Sequence, residues 1–249
     1  MDDRPAPTLT ESIAAAQAWW REAGVDLAYH DEPAAWLSED EDVPVAEAPP
    51  SIRDAAPEPE RPPIGGDRAS WPADLAAFSR WWLEEASLDE GGTCPRIAPR
   101  GEAGAPLMML VPMPEADDRE SLLSGSEGRL LASLAIAMGL APQQVYFASA
   151  LPRHTLLPDW EDLAAGGLGK ILRHHIALAN PARVIVLGTR ILPLLGHDPA
   201  QAAPAVSELA IQGREVPLLA TYAPERLLGN ARQRAGLWQR WLEWTDGNG

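Results

Sequence analysis

The five residues Arg183-Val-Ile-Val-Leu187 constrain the fold more than any other stretch of this chain. A run of β-branched and aliphatic side chains with no polar alternation suits a strand buried on both faces. A helical pattern ending near Asn180-Pro181 precedes it, and Gly188-Thr189 opens a further apolar helix. Helix, buried strand, glycine turn and helix in succession form the unit of a parallel α/β sheet. Leu107–Val111, Val145–Ala148 and Val216–Ala220 have the same character. The expectation is a three-layer α/β/α domain around a central, mostly parallel sheet of about four strands.

The remaining segments arrange themselves around those strands. Thr8-Leu-Thr-Glu11 has capping-box spacing, and Ile13, Ala16 and Trp20 recur on one helical face before Gly24. A short apolar patch, Leu27–Trp36, runs into the acidic stretch Glu39-Asp-Glu-Asp42. Residues 43–66, rich in Pro, Ala and Glu, lack the apolar surface that offsets ordering entropy and read as a linker. The domain is expected over 67–249, with the acidic arm over 1–42. A helix beginning near Trp71-Pro72 places Leu75, Phe78, Trp82 and Ala86 on one face. Ser124 to Glu127 again has capping-box spacing, ahead of Leu130, Leu131, Leu134 and Met138. From Pro224 a C-terminal helix is expected to face inward with Leu227, Leu228, Ala231, Ala235, Trp238 and Leu242.

Charge separates the two parts. The net charge is −16, yet residues 1–66 hold 15 Asp and Glu against 4 Arg, while residues 67–249 hold 21 against 16 basic residues. A chain this acidic is not an obvious nucleic-acid binder, because phosphate affinity needs a concentrated positive face. With Cys94 as its one cysteine, the chain can form no internal disulfide. No apolar run reaches the roughly 18 residues of a membrane span. The opening Met-Asp-Asp-Arg-Pro has neither the basic nor the apolar region of a signal peptide, so a cytoplasmic location and no membrane partner are expected.

Ligands of an open parallel sheet sit beyond the strands' carboxyl ends. Those ends supply Pro112–Asp118, Ser149–His154, Gly188–Arg190 and Thr221–Arg226. In this order the loops, with Gly128-Arg-Leu-Leu131, Val145-Tyr-Phe147, Asn180-Pro-Ala-Arg183 and Leu219-Ala-Thr-Tyr-Ala-Pro-Glu-Arg226, resemble the uracil-DNA glycosylase superfamily, specifically its bacterial iron–sulfur branch. The resemblance spans residues 92–244, and the arm's Ala23-Gly-Val-Asp26 is similar to some members. It implies a fold that flips uracil out of DNA and cleaves its N-glycosidic bond.

The chain departs from that family where the chemistry resides. The family's Gly-Glu-Ala-Pro-Gly loop aligns with Val111-Pro112-Met113-Pro114-Glu115, so Pro112 replaces the acid. The amide that reads the uracil edge aligns with Ser149, the stacking aromatic falls near Leu123, and the histidine of the last motif is Ala223, ahead of Pro224. Of the four cluster cysteines Cys94 remains, with Arg153 and Leu168 at the later two positions. Four soft ligands are needed, so no iron–sulfur cluster and no other cofactor or metal is expected. If the chain were active, Asp117, Asp118 and His154 are the candidate catalytic groups. His174 and His175, adjacent on a helix, point differently, and His175 reads as core.

These departures imply a glycosylase-like protein that has lost base excision and serves as a binding or scaffolding component of DNA repair or replication. A small clamp-loader accessory subunit of bacterial replicases resembles this fold and is not catalytic. DNA is a possible partner, and the acidic arm, through Trp19 and Trp20, is expected to meet a protein. The alternative is an active, divergent DNA glycosylase. A nucleotide-binding reading is weaker, because Gly166-Gly-Leu-Gly169 does not directly follow a strand.

Overall fold

The computed structural model describes residues 8–24, 62–197 and 205–246. The chain divides into two compact units, residues 1–58 and 59–249.

In the first unit, α1 (Leu9–Glu22) starts on the expected capping box. Thr8 Oγ1 accepts from the Glu11 amide at 3.4 Å, and Glu11 Oε2 accepts from the Thr8 amide at 2.8 Å. None of its residues is buried. The apolar patch Leu27–Trp36, the acidic run Glu39–Asp42 and the expected linker as far as residue 61 lie outside the described residues.

In the second unit the packed chain begins earlier than the sequence suggests. The Ile64 amide donates to Gly166 O at 2.9 Å, and Trp71 Nε1 donates to Gly65 O at 2.7 Å. The last residues assigned to the linker therefore belong to the domain. Trp71-Pro72 lead into α2 (Leu75–Glu84) rather than start it, because Asp74 caps the helix by accepting from the Ala77 amide. Its Phe78 and Trp82 are fully buried.

The sheet has five strands: β1 (Leu107–Val111), β2 (Val145–Ser149), β3 (Val184–Leu187), β4 (Ala205–Ile211) and β5 (Arg214–Thr221). Their order is β2-β1-β3-β5-β4. The pairs β1–β2, β1–β3 and β3–β5 are parallel, and β4 runs antiparallel to β5. Every residue of β1, β2 and β3 is buried, as continuous apolar runs require. The expected four strands become five because β4 was hidden. As an edge strand only partly buried, it mixes Ser207, Glu208 and apolar residues. It turns into β5 at Gln212-Gly213, both with positive φ (48° and 81°), the geometry of a two-residue hairpin whose twist matches its strands.

Two apolar clusters cover the sheet, one on each face, which gives the three layers. On one side Met108, Leu110, Val184, Val186, Leu218 and Ala220 meet α2 and α5 (Leu168–Ala179). On the other side Met109, Val111, Ile185, Leu187 and Leu219 meet α3 (Ser126–Ala137) and the C-terminal helices. Between α3 and α5 runs the short α4 (Trp160–Ala165), and Thr189–Leu195 forms a 3₁₀ helix where a further apolar helix was expected.

The expected single C-terminal helix is two: α6 (Pro224–Gly229) and α7 (Ala231–Asp246). Asn230, at φ −135° and ψ 101°, breaks the ladder and resets the helical phase. The inner face of α7 is consequently Leu237, Trp241 and Trp244, while Ala231, Ala235 and Leu242 are exposed.

Candidate functional site

The carboxyl ends of β1, β2, β3 and β5 do converge, and they converge tightly. The Ala150 and Leu151 amides donate to Val111 O and Pro112 O at 2.8 and 3.0 Å, joining the first two loops. The Gly188 amide donates to Thr221 O at 2.9 Å. A Cβ at Gly188 would lie 2.9 Å from Pro112 Cγ and 3.8 Å from Ala223 Cβ. Only glycine fits there, at a φ of 129°, with Pro112 and Ala223 close on either side. Pro112 and Ala223, which the resemblance would align with an acid and a histidine, thus lie near one another as apolar groups beside a glycine.

The other aligned positions are turned to structural use. Ser149 is buried and its Oγ donates to Leu151 O at 2.7 Å, within its own loop. Leu123 adopts φ 57° and buries its side chain in the cluster under α3, so it does not stand over an open cleft. Its carbonyl passes so near Gly128 that a Cβ there would lie 1.8 Å from the oxygen. Met113 is half-buried against the opposite cluster, and Pro114 and Pro224 are buried.

Among the catalytic candidates, Asp118 is 2% exposed. Its Oδ2 accepts from the Glu115 and Leu123 amides, and its Oδ1 accepts from the Ser124 amide and hydroxyl, all between 2.7 and 2.9 Å. A carboxylate so engaged holds the loop, its oxygens already occupied by four donors. Asp117 is exposed on that loop. His154 is half-buried; its Nδ1–H donates to Pro114 O at 3.0 Å, since a carbonyl can only accept.

Ser124, expected to cap α3, bonds Asp118 instead, and the cap residue is Gly125. The anion at this helix start is Glu115. Its Oε1 accepts from the Gly125 and Gly128 amides at 3.0 and 2.9 Å, and its Oε2 accepts from the Glu127 amide at 3.1 Å. A helix N-terminus is where a phosphate or anionic base would otherwise be drawn. The chain's own carboxylate holds that position.

Sequence reasoning missed Glu127, in the first turn of α3. Burial, then the charges of Glu115, Glu225 and Asp118, push its carboxyl up to about 7. Those neighbours come from two other segments, the β1–α3 loop and α6, so no local pattern announces the effect. Four carboxyl groups therefore crowd the start of α3.

A concavity lies between the end of α2, the loop around Cys94 and the loop after β2. It is an open groove of about 990 Å³ lined by Leu83, Gly92, Cys94, Arg96, Arg119 and Arg153, among others. Asp89 accepts from Arg153 Nε at 2.9 Å and from Arg96 Nε and Nη2 at 3.1 Å. Burial alone would raise the Asp89 carboxyl, but bonds from Arg96, the Gly91 amide and Arg153 hold it below the usual range. Arg153 Nη1 also donates to Gly92 O and Cys94 O. These residues do not fit an iron–sulfur cluster: Cys94 is the one soft ligand, Arg153 is committed to this network, and Leu168 is buried in the core. Among the described residues no three His, Cys, Asp or Glu side chains gather to hold a metal ion. No described helix is long and apolar enough to cross a membrane.

The two adjacent histidines diverge as expected. His174 Nε2–H donates to Pro72 O at 2.7 Å, while His175, buried against Phe78, pairs its Nε2 with Tyr146 Oη at 2.8 Å. Trp19 and Trp20, on α1, are both exposed.

No protein-family model matches the chain, and no curated protein matches its sequence.

Proposed function

We propose that residues 67–249 form a uracil-DNA glycosylase-like domain that no longer excises bases and serves as a binding or scaffolding component linked to DNA repair or replication. One observation carries this reading: the acid and histidine positions, Pro112 and Ala223, close apolar around Gly188, and burial and neighbouring carboxyl groups push Glu127 up to about 7. A field that opposes a carboxylate also opposes an anionic leaving base, which excision must stabilise. The same field disfavours DNA phosphates there, so the reading leans on a protein partner for the acidic arm.

The test is uracil release from single- and double-stranded uracil-containing DNA, together with DNA affinity at two salt concentrations. Release is expected at background, and Ala223→His alone is expected to leave it there, because Pro112 and Ser149 are unchanged. Robust release by the unaltered protein, lost in Asp117→Asn, Asp118→Asn or His154→Ala, would overturn the reading.

The alternative, an active divergent glycosylase, draws on Glu127. A half-buried carboxyl group titrating near neutrality is suited to general acid catalysis. Release abolished by Glu127→Gln with the fold intact would establish that alternative.

A further inference from the structure

We propose that α1 is a docking helix for a protein whose apolar groove is rimmed by lysine and arginine. The inference rests on the binding-component reading and names the partner's chemistry. On α1, Leu9, Ile13, Ala16 and Trp20 are spaced four, three and four residues apart, so they stack along one line of the helix. Trp19 widens that line into a stripe about a third of the circumference across. Leu9 is 78% exposed, Ile13 50%, Trp19 64% and Trp20 56%, and no residue of the helix is buried. Two exposed tryptophans and two large aliphatics on four turns far exceed what a solvated helix needs.

The charges of α1 avoid the stripe. Glu11 is spent on the capping box with Thr8, where its carboxyl is held below the usual range by hydrogen bonds from the Thr8 backbone and hydroxyl. Glu22 lies on the same back face as Glu11, eleven residues on. Beyond both ends acidic residues outnumber basic ones: Asp2 and Asp3 against Arg4 before the helix, then Asp26, Asp31, Glu32 and the run Glu39–Asp42 with no Lys or Arg after it. An uncharged stripe about 16 Å long between acidic flanks is complementary to one kind of surface: an apolar groove of that length with basic residues at its ends. The groove removes the tryptophans from water, and the basic rim orients the helix and speeds encounter. The same flanks disfavour nucleic acid and anionic lipid surfaces.

The experiment places a photo-crosslinking residue in the full chain within its source cells, at Trp20→p-benzoylphenylalanine on the stripe and at Ala18→p-benzoylphenylalanine on the back. Crosslinked peptides are mapped by mass spectrometry. The expected result is a crosslink from position 20 to an apolar segment of another protein with Lys or Arg beside it, and a much weaker one from position 18. Ile13→Ala should lower the yield at least about tenfold, and alanine preserves helix propensity, so the loss would not reflect an unfolded helix. In lysates, raising sodium chloride should weaken the crosslink. Equal yields from both positions, adducts mapping to an acidic or fully polar surface, to nucleic acid or to this chain itself, or no adduct at position 20 would each overturn the docking helix. Uracil release measured on the same protein separates the two failures: activity sinks the binding-component reading, whereas silent chemistry without a stripe-dependent crosslink sinks only the docking helix.

Discussion

Replacing His175 by leucine together with Tyr146 by phenylalanine should remove a specific acid sensitivity from the domain. His175 is completely buried, its ring stacked 4.4 Å from that of Phe78, and burial followed by the charge of His174 lowers its pKa to about 3. In the unfolded chain the same ring titrates near its ordinary value of about 6.5. Below that pH the unfolded state binds a proton that the native state refuses. The stability associated with the neutral ring is therefore complete above about 6.5 and lost progressively as pH falls toward about 3. From linkage, the loss reaches about 2 kcal/mol at pH 5 and approaches about 5 kcal/mol at the lower limit. A domain of this size has roughly 5–15 kcal/mol in all, so the effect is large enough to measure. Truncating His175 alone would strand the buried Tyr146 hydroxyl, and for that reason both partners are replaced by apolar groups. Urea unfolding followed by tryptophan fluorescence at pH 7.5 and pH 5.0 gives the comparison. The wild type should lose about 2 kcal/mol more than the double variant between the two conditions; other titrating groups act in both proteins and cancel. Equal pH dependence in the two proteins would refute the assignment.

Glu127→Gln should stabilise the domain above pH 7 by about 1 kcal/mol, a value reduced for the solvent that still reaches this half-buried group. A carboxyl raised from 4.5 to about 7 loses native-state stability as pH rises through that window, so the gain should vanish below about 4.5 in the same unfolding assay. Glu115→Ala leaves the Gly125, Glu127 and Gly128 amides without their acceptor, at a cost of about 1–3 kcal/mol. Hydrogen exchange should accelerate at those amides first, and unchanged protection would show that Glu115 is not the cap. Gly128→Ala sets a methyl group 1.8 Å from Leu123 O and should cost at least about 3 kcal/mol or prevent folding. A thermal midpoint within about two degrees of wild type would contradict that contact.

Three consequences of the carboxyl-end geometry bear on what kind of protein this is. The helix start that would attract an anion is filled by Glu115, the loop that would move is pinned by Asp118, and the centre is closed by Pro112, Gly188 and Ala223. Each is a stabilising arrangement of the kind that active sites forgo in order to bind ligands. Together they are the observations on which the proposed binding role rests.

Much of the architecture was legible in the chain before folding was considered. Continuous apolar runs require burial on both faces, which located β1, β2, β3 and the core of β5. The divergence of adjacent helical positions likewise put His175 in the core, and Thr8 to Glu11 marked the start of α1. That Pro112, Ser149 and Ala223 offer no carboxylate, amide or imidazole side chain was also readable from the sequence. These are local properties, fixed by neighbours within a turn or two. What the tertiary structure decided depends on segments far apart in sequence. The β4 edge strand exists because β5 offers it a partner, and the break at Asn230 re-aims α7 in a way no uninterrupted period could reveal. Glu115 reaches amides ten to thirteen residues away, and Arg153 reaches Asp89 across 64. Burial, and then Glu115 and Asp118 from the β1–α3 loop with Glu225 from α6, push the Glu127 carboxyl up to about 7. Periodicity records which side of an element is buried; hydrogen-bond partners and electrostatic fields depend on distances that exist only once the topology has closed.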